Sequence, residues 1–210
     1  MRKFVKILLP VVALLVASAP VYAQDNSKTG TSNGHEYVDL GLPSGLKWAT
    51  CSYGASSPTE PGEYISWGEM TPKSFYNESN SKTYEKRVSS ISATPTYDVV
   101  AVNWGGNWRM PTADEMRELV WECQWEWTRE DGKPGYKVTG PNGNTLFFPA
   151  IGYRSGPNVV HDNDAGYFWT GTPADDELLA YANCLFLIKN NFGVDAGHRY
   201  RGFNIRPVCD

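Results

Sequence analysis

The side chains best suited to hold a ligand gather near the C-terminal end of the chain. Asn190, Asn191, Asp195, His198, Tyr200 and Arg201 stand within a polar stretch, with glycines at 193 and 197. Amides, a carboxylate, an imidazole and a guanidinium offer adaptable hydrogen bonds, and Tyr200 adds a rigid aromatic anchor. Trp169, in the aromatic run from Gly166 to Thr170, joins them as a face on which a sugar ring could stack. The competing reading of 189–201 is an ordinary polar hairpin loop.

Other chemistry is thinner. His161-Asp162-Asn163-Asp164 brings oxygen donors together, but Ca²⁺ takes six to eight oxygens, so these four neighbours fit a solvated turn better than a complete calcium site. No metal and no cofactor is expected, calcium being the one alternative. Arg109 is expected to tie its turn to a carboxylate through its planar fork rather than to bind a ligand. The acidic pairs Asp114/Glu115 and Glu118/Glu122 fall on a helix, where solvated or ion-pair roles dominate. G-x-S-x-G, H-E-x-x-H and G-x-x-x-x-G-K-[ST] do not occur, and no enzymatic activity is expected.

Four cysteines remain: Cys51, Cys123, Cys184 and Cys209. They form no C-x-x-C and the three histidines are isolated, which argues against zinc. The first residues read as an export signal: Arg2, Lys3 and Lys6, then an apolar stretch from Ile7 to Ala19, then Val21-Tyr22-Ala23 as a cleavage site. Export favours disulfides. Three pairings are open, and Cys184–Cys209 with Cys51–Cys123 is the one expected. A catalytic thiol is the sharper alternative, although no histidine lies near a cysteine in sequence.

The elements that must position these groups follow from turn and periodicity signals. Residues 24–34 read as a flexible leader, rich in Ser, Gly, Asn and Thr. Glu36–Leu40 and Leu46–Cys51 flank Leu42-Pro43-Ser44-Gly45, a hairpin. Tyr64–Trp67 is a short strand, and 71–96 a long polar excursion. Thr112 with Glu115 forms a capping box. Met116, Leu119, Val120, Cys123 and Trp127 then mark one apolar helix face. Tyr136–Thr139 and Thr145–Phe148 flank an Asn-Gly turn. Residues 150–164 and 189–201 read as loops, Tyr181–Ile188 and Gly202–Cys209 as strands. Trp104, Trp108, Trp121, Trp125 and Trp127 suit packing more than a sugar platform. The pattern is α+β.

After removal of residues 1–23, 187 remain, enough for a single domain over 35–210. Without Arg2, Lys3 and Lys6, 16 basic residues face 23 acidic ones, a net charge of −7. That argues against nucleic acid as a partner. No later segment is apolar enough to span a membrane, so no integral membrane segment is expected after signal cleavage.

Five blocks together resemble the Fibrobacter succinogenes major paralogous domain, a family of exported bacterial proteins. They are His35–Cys51, Gly62–Glu69, Trp104–Leu119, Gly135 through Arg154, and Gly202–Val208. Arg109-Met110-Pro111-Thr112 leading into a helix also resembles the signature of formylglycine-generating-enzyme-like domains. The resemblance implies a C-type-lectin-like fold in which the first and last strands pair and a long loop region carries the ligand site. The calcium and sugar motifs of animal lectins are absent, so calcium-dependent sugar binding is not implied. The first helix usual in such folds is also not visible, because residues 52–63 lack an apolar period. The expected function is an exported cell-surface or secreted module that binds a glycan or a protein through its C-terminal loop region. Two alternatives are a structural or adhesin component of a surface assembly, and an oxidase of the formylglycine-generating kind, which would need a copper-binding cysteine pair.

Overall fold

The structure, a computed structural model, describes residues 29–210. The expected signal peptide, and residues 24–28 of the expected leader, lie outside the described residues. The rest of that leader departs from expectation. Thr29–Ser32 is a strand, β1, paired antiparallel with β2 (His35–Asp39). Asn33 and Gly34 turn the chain with φ of 46° and 82°, the left-handed pair that a tight hairpin needs. The segment is ordered because it is bonded: the indole N–H of Trp108 donates to the Ser32 carbonyl at 2.7 Å.

β3 (Lys47–Ala49) continues the sheet from β2, and a two-residue strand, β4 (Ile65–Ser66), follows. Residues 67–98 then run as a long excursion whose one helical piece is a single 3₁₀ turn, Glu78–Asn80. A short helix, α1 (Val99–Asn103), was not expected. Its cap explains it: one Asp98 carboxylate oxygen accepts from the N–H groups of Val100 and Ala101 at 3.0 Å each. The other oxygen accepts from Ala93 and Met110 at 2.8 and 2.9 Å, so this buried side chain closes the base of the excursion.

Helix α2 (Ala113–Glu122) begins at Thr112 with both halves of the capping box in place. Arg109 grips Glu115 through two bonds of 2.8 and 2.7 Å. The helix is shorter than its apolar face suggests. Cys123 is already extended (φ −104°, ψ 157°), and β5 (Gln124–Glu130) starts at once. Gln124-Trp125-Glu126-Trp127 alternates with period two, so Trp125 and Trp127 share one strand face. They pack on Phe192 and Tyr136, with centroids 4.8 and 5.1 Å apart. β6 (Lys133–Thr139) and β7 (Thr145–Pro149) complete this three-stranded sheet.

The remaining chain is nearly all strand: β8 (Ile151–Ser155), β9 (Asn158–Asp162), β10 (Ala165–Pro173), β11 (Tyr181–Ile188), β12 (Asn191–His198), β13 (Gly202–Phe203) and β14 (Val208–Cys209). The two stretches expected as loops, 150–164 and 189–201, are mostly hairpin strands. The largest sheet runs β12-β11-β10-β8-β13-β4, with β9 on β8. The other runs β1-β2-β3-β14. The last strand therefore pairs with β3, and not with the first strand as expected. β3 already has β2 on one edge, so β14 takes the other and β1 is left outermost.

β10 and β11 are covered on both faces and divide two apolar clusters. Phe168, Leu185 and Leu187 pack with Trp48, Met116, Leu119 and Phe148. Trp169, Ala182 and Cys184 face the other way, onto Trp67, Trp108, Phe203 and Ile205. Each such large side chain contributes about 1.5–3 kcal/mol by leaving water. The architecture is α+β, mostly antiparallel strand with two α-helices among the described residues. No described helix is long and apolar enough to cross a membrane.

Candidate functional site

The C-terminal candidates do not form one cluster. In the β11–β12 hairpin, Ile188 lies opposite Asn191 and Tyr181 opposite His198. Asn190 and Asn191 are thus at the hairpin tip and His198 at its far end. Seven residues at ~3.3 Å each separate them by about 23 Å. Asn191 and Asp195 also have odd parity along β12 and face away from His198. Trp169 is a correction. It is fully buried, stacked on Phe203 at 4.1 Å, and its indole N–H donates to the Ile65 carbonyl at 2.8 Å. No ligand can reach it. Gly197 lets β12 lie close to this stack, since a Cβ there would come within 2.5 Å of Phe203.

His198, Tyr200 and Arg201 do belong to one place. Tyr181 and His198 are cross-strand neighbours with ring centroids 4.2 Å apart. His198 lies 5.3 Å from Tyr200, and Tyr200 meets the edge of Tyr84 at 5.6 Å. These four half-buried rings form a continuous aromatic strip on the surface. Arg201 stacks over Tyr153 at 4.8 Å. His198 Nδ1 and Arg201 Nε are buried with no hydrogen-bond partner among the described residues. Burial, and secondarily the Arg201 charge, holds the His198 imidazole below its ordinary pKa, against a weaker upward pull from Glu78.

Beside the strip runs a groove of about 480 Å³, walled by Phe75, Asn77, Glu78, Ser155 and Tyr200. Phe75 is 46% exposed. The walls are fixed from below. Tyr76 exchanges backbone bonds of 2.9 and 2.8 Å with Gly156, and its hydroxyl donates to the Tyr64 carbonyl at 2.6 Å. The Asn80 side chain donates to the Phe75 carbonyl at 2.8 Å, and Asn77 caps the 3₁₀ turn. Phe75, Glu78 and Tyr84 escaped the sequence reading because they lie in the polar excursion, over 110 residues from Tyr200. No periodicity announces such a contact.

The cysteines depart from expectation too. All four are free thiols. Cys184 and Cys209 are buried in one cluster without a bond between them, and Cys123 ends α2. Thr50 extends the β2–β3 ladder by donating its N–H to the Glu36 carbonyl at 3.1 Å. Next along the two segments come Cys51 and His35. Both line a cleft of about 260 Å³ with Trp104, on whose ring His35 stacks at 3.7 Å. A cysteine and a histidine thus share one cleft, which their separation in sequence concealed. Asp162 of the expected calcium turn is taken by Lys133 at 3.3 Å. Among the described residues no three His, Cys, Asp or Glu side chains come together as a metal site.

No family model matches the chain, and comparison with curated proteins and with solved structures found no match either.

Proposed function

We propose that this protein is an exported glycan-binding module of C-type-lectin-like fold, a member of the Fibrobacter succinogenes major paralogous domain family, and that it holds its ligand in the groove beside Tyr200. The observation that carries the reading is the strip Tyr181–His198–Tyr200–Tyr84 bordering a groove with an exposed phenylalanine. Aromatic faces suit the C–H faces of pyranose rings, while Asn77, Glu78 and Ser155 offer acceptors and donors for hydroxyls. The groove is prebuilt by Tyr76 and the 77–80 capping box, which lowers the ordering cost of binding. The export signal supports a location in the periplasm, at the outer surface or outside the cell. The pairing of β14, at the end of the chain, with β3, near its start, and the long 67–98 excursion support the fold assignment.

Binding of residues 24–210 to a glycan array tests the reading. Saturable binding that falls at least about tenfold, roughly 1.4 kcal/mol, in Tyr200→Ala and His198→Ala is expected. Asn191→Ala, at the far end of the hairpin, leaves it unchanged. A blank array, or binding indifferent to Tyr200, overturns it and favours a protein ligand or a structural role in a surface assembly.

A further inference from the structure

A second cleft, of about 590 Å³, opens at the other end of the hairpin, where the tip of β11–β12 meets the β5–β6 hairpin and the β9–β10 turn. Trp127, Arg129, Asn163, Asp164 and Lys189 line it. We propose that this cleft binds a carboxylate-bearing pyranose, a uronic-acid unit of an acidic polysaccharide. The site is separate from the Tyr200 groove, and the inference does not depend on that groove's function.

Three features of the cleft select this chemistry. First, Trp127 is half-buried, held edge-to-face against Tyr136 at 5.1 Å, so a large flat ring forms part of the wall. Such a ring suits the apolar face of a pyranose. Second, Arg129 and Lys189 both line the cleft, and neither pairs with a carboxylate among the described residues. In a chain of net charge −4, two unpaired cations against the single carboxylate of Asp164 still make the cleft a local reversal of sign. The Arg129 fork is steadied by one bond of 2.7 Å to the Gly132 carbonyl and keeps its other donors for a planar carboxylate. Third, Asn163 and Asp164 supply an amide and an acceptor for ring hydroxyls, which a bare anion would not need.

The three walls are also tied together before any ligand arrives. Lys133 reaches across to Asp162 and Asn163 at 3.3 and 3.2 Å. The Tyr136 hydroxyl donates to the Ile188 carbonyl at 3.1 Å, next to Lys189. The N–H of Asn163 donates to the Ala150 carbonyl at 2.9 Å. Asn190 and Asn191, adjacent to Lys189 at the tip, sit on this side of the molecule. Of the sequence candidates, they belong with this cleft rather than with His198.

The test is a titration of isotope-labelled protein, residues 24–210, with methyl β-D-glucuronide and methyl β-D-glucoside, following the indole N–H signal of Trp127. The uronide is expected to shift that signal with at least about fivefold higher affinity than the neutral glycoside. Lys189→Ala and Arg129→Gln, both changes at exposed side chains, should each erase about that preference. Added salt should do the same. Trp121→Ala, on exposed helix surface elsewhere, should not. Equal response to both glycosides, or none at Trp127, overturns the proposal. Because signals of Tyr200 and His198 report the other groove in the same spectra, failure there and failure here are read separately.

Discussion

The guanidinium of Arg199 lies over the indole of Trp67, 4.3 Å from the ring centroid, in a fully buried position and paired with no carboxylate among the described residues. It is satisfied by carbonyls instead: Tyr181 at 2.8 Å, Lys86 at 2.8 Å and Thr83 at 3.3 Å. Burial pulls its pKa down to about 10, which still leaves it charged at neutral pH. Thr83 and Lys86 bracket Tyr84, and Tyr181 begins the aromatic strip. One cation therefore holds both ends of that strip in register.

Arg199→Met keeps much of the volume and removes every donor. Three carbonyls then lose their partner in a dry environment, which should cost about 3 kcal/mol of stability by denaturant unfolding. Arg199→Lys keeps the charge but not the fork, and should recover only part of it. In the glycan assay both variants should lose affinity through displaced Tyr84 even at temperatures where they remain folded. A stability loss under about 1 kcal/mol for Arg199→Met would show that water replaces the guanidinium.

The strip carries a titratable ring. Burial, with Arg201 adding to it, keeps the His198 pKa below 6.5, and burial does the same to His35 against Trp104. A histidine with a lowered folded pKa takes up its proton later than in the unfolded chain. The unfolded state then binds more protons as pH falls, and stability drops below about pH 6.5 until the folded pKa values are passed. Unfolding measured from about pH 7.5 to about pH 5 should show this decline, reduced in a His35→Gln/His198→Gln variant. Imidazole NMR titrations of both rings should give midpoints under the free-histidine value; midpoints above it would reverse the sign.

How far these features could be read from residues alone depends on whether their causes are local. The start of α2 was legible because Thr112 and Glu115 satisfy backbone donors three residues away. β11 was legible because Tyr181–Ile188 is apolar apart from Asn183. β12 is hidden in the sequence although Phe192, Val194 and Ala196 alternate with Asn191, Gly193 and Asp195, because polar composition and two glycines mask the period. Trp127 fits a helix face at i+11, yet Gln124–Trp127 alternates and β6 supplies a partner. Trp169 looked like a binding aromatic for its company, but its burial depends on Phe203 and Ile65, far off in sequence. The grooves were illegible for the same reason, since each is walled by three segments that only tertiary packing brings together.

The free thiols can be ranked by environment. Cys51 is half-exposed in the His35 cleft. Cys123 is also half-exposed, but burial, with Glu122 and Glu118, pushes its thiol up to about 12. Cys184 and Cys209 are buried, and burial raises both. Because the thiolate is the reacting form, an alkylating reagent at neutral pH should label Cys51 first, Cys123 slowly, and the other two only after unfolding. Peptide mapping by mass reads the order. Protection of Cys51 and Cys123 together in unreduced protein, relieved by reductant, would restore the disulfide expected from the sequence. A copper-binding pair in the late region would need Cys184 and Cys209 to react natively.

The contact between Arg109 and Glu115 is the most acid-sensitive link in the helix start. Burial alone would raise the Glu115 carboxyl, but the Arg109 fork and the Thr112 N–H, bonded at 2.7 Å, outweigh it and hold the group below the usual carboxylate range. Since the folded pKa is depressed, the stabilisation is complete above the unfolded value near 4.5 and is lost as pH falls through the folded one. Arg109 also ties the start of α2 to the last strand, because its backbone pairs with Val208 at 3.0 Å in each direction. Its side chain is only 16% exposed and that of Glu115 22%, so solvent screens the pair weakly. Arg109→Ala should therefore cost about 2–3 kcal/mol at neutral pH, with a much smaller difference near pH 3. Glu115→Gln keeps the capping geometry while removing the charge, and should cost about 1 kcal/mol. If Arg109→Ala lowers stability equally at both pH values, the residue acts through packing against Met110 and β14, and the ion pair adds nothing.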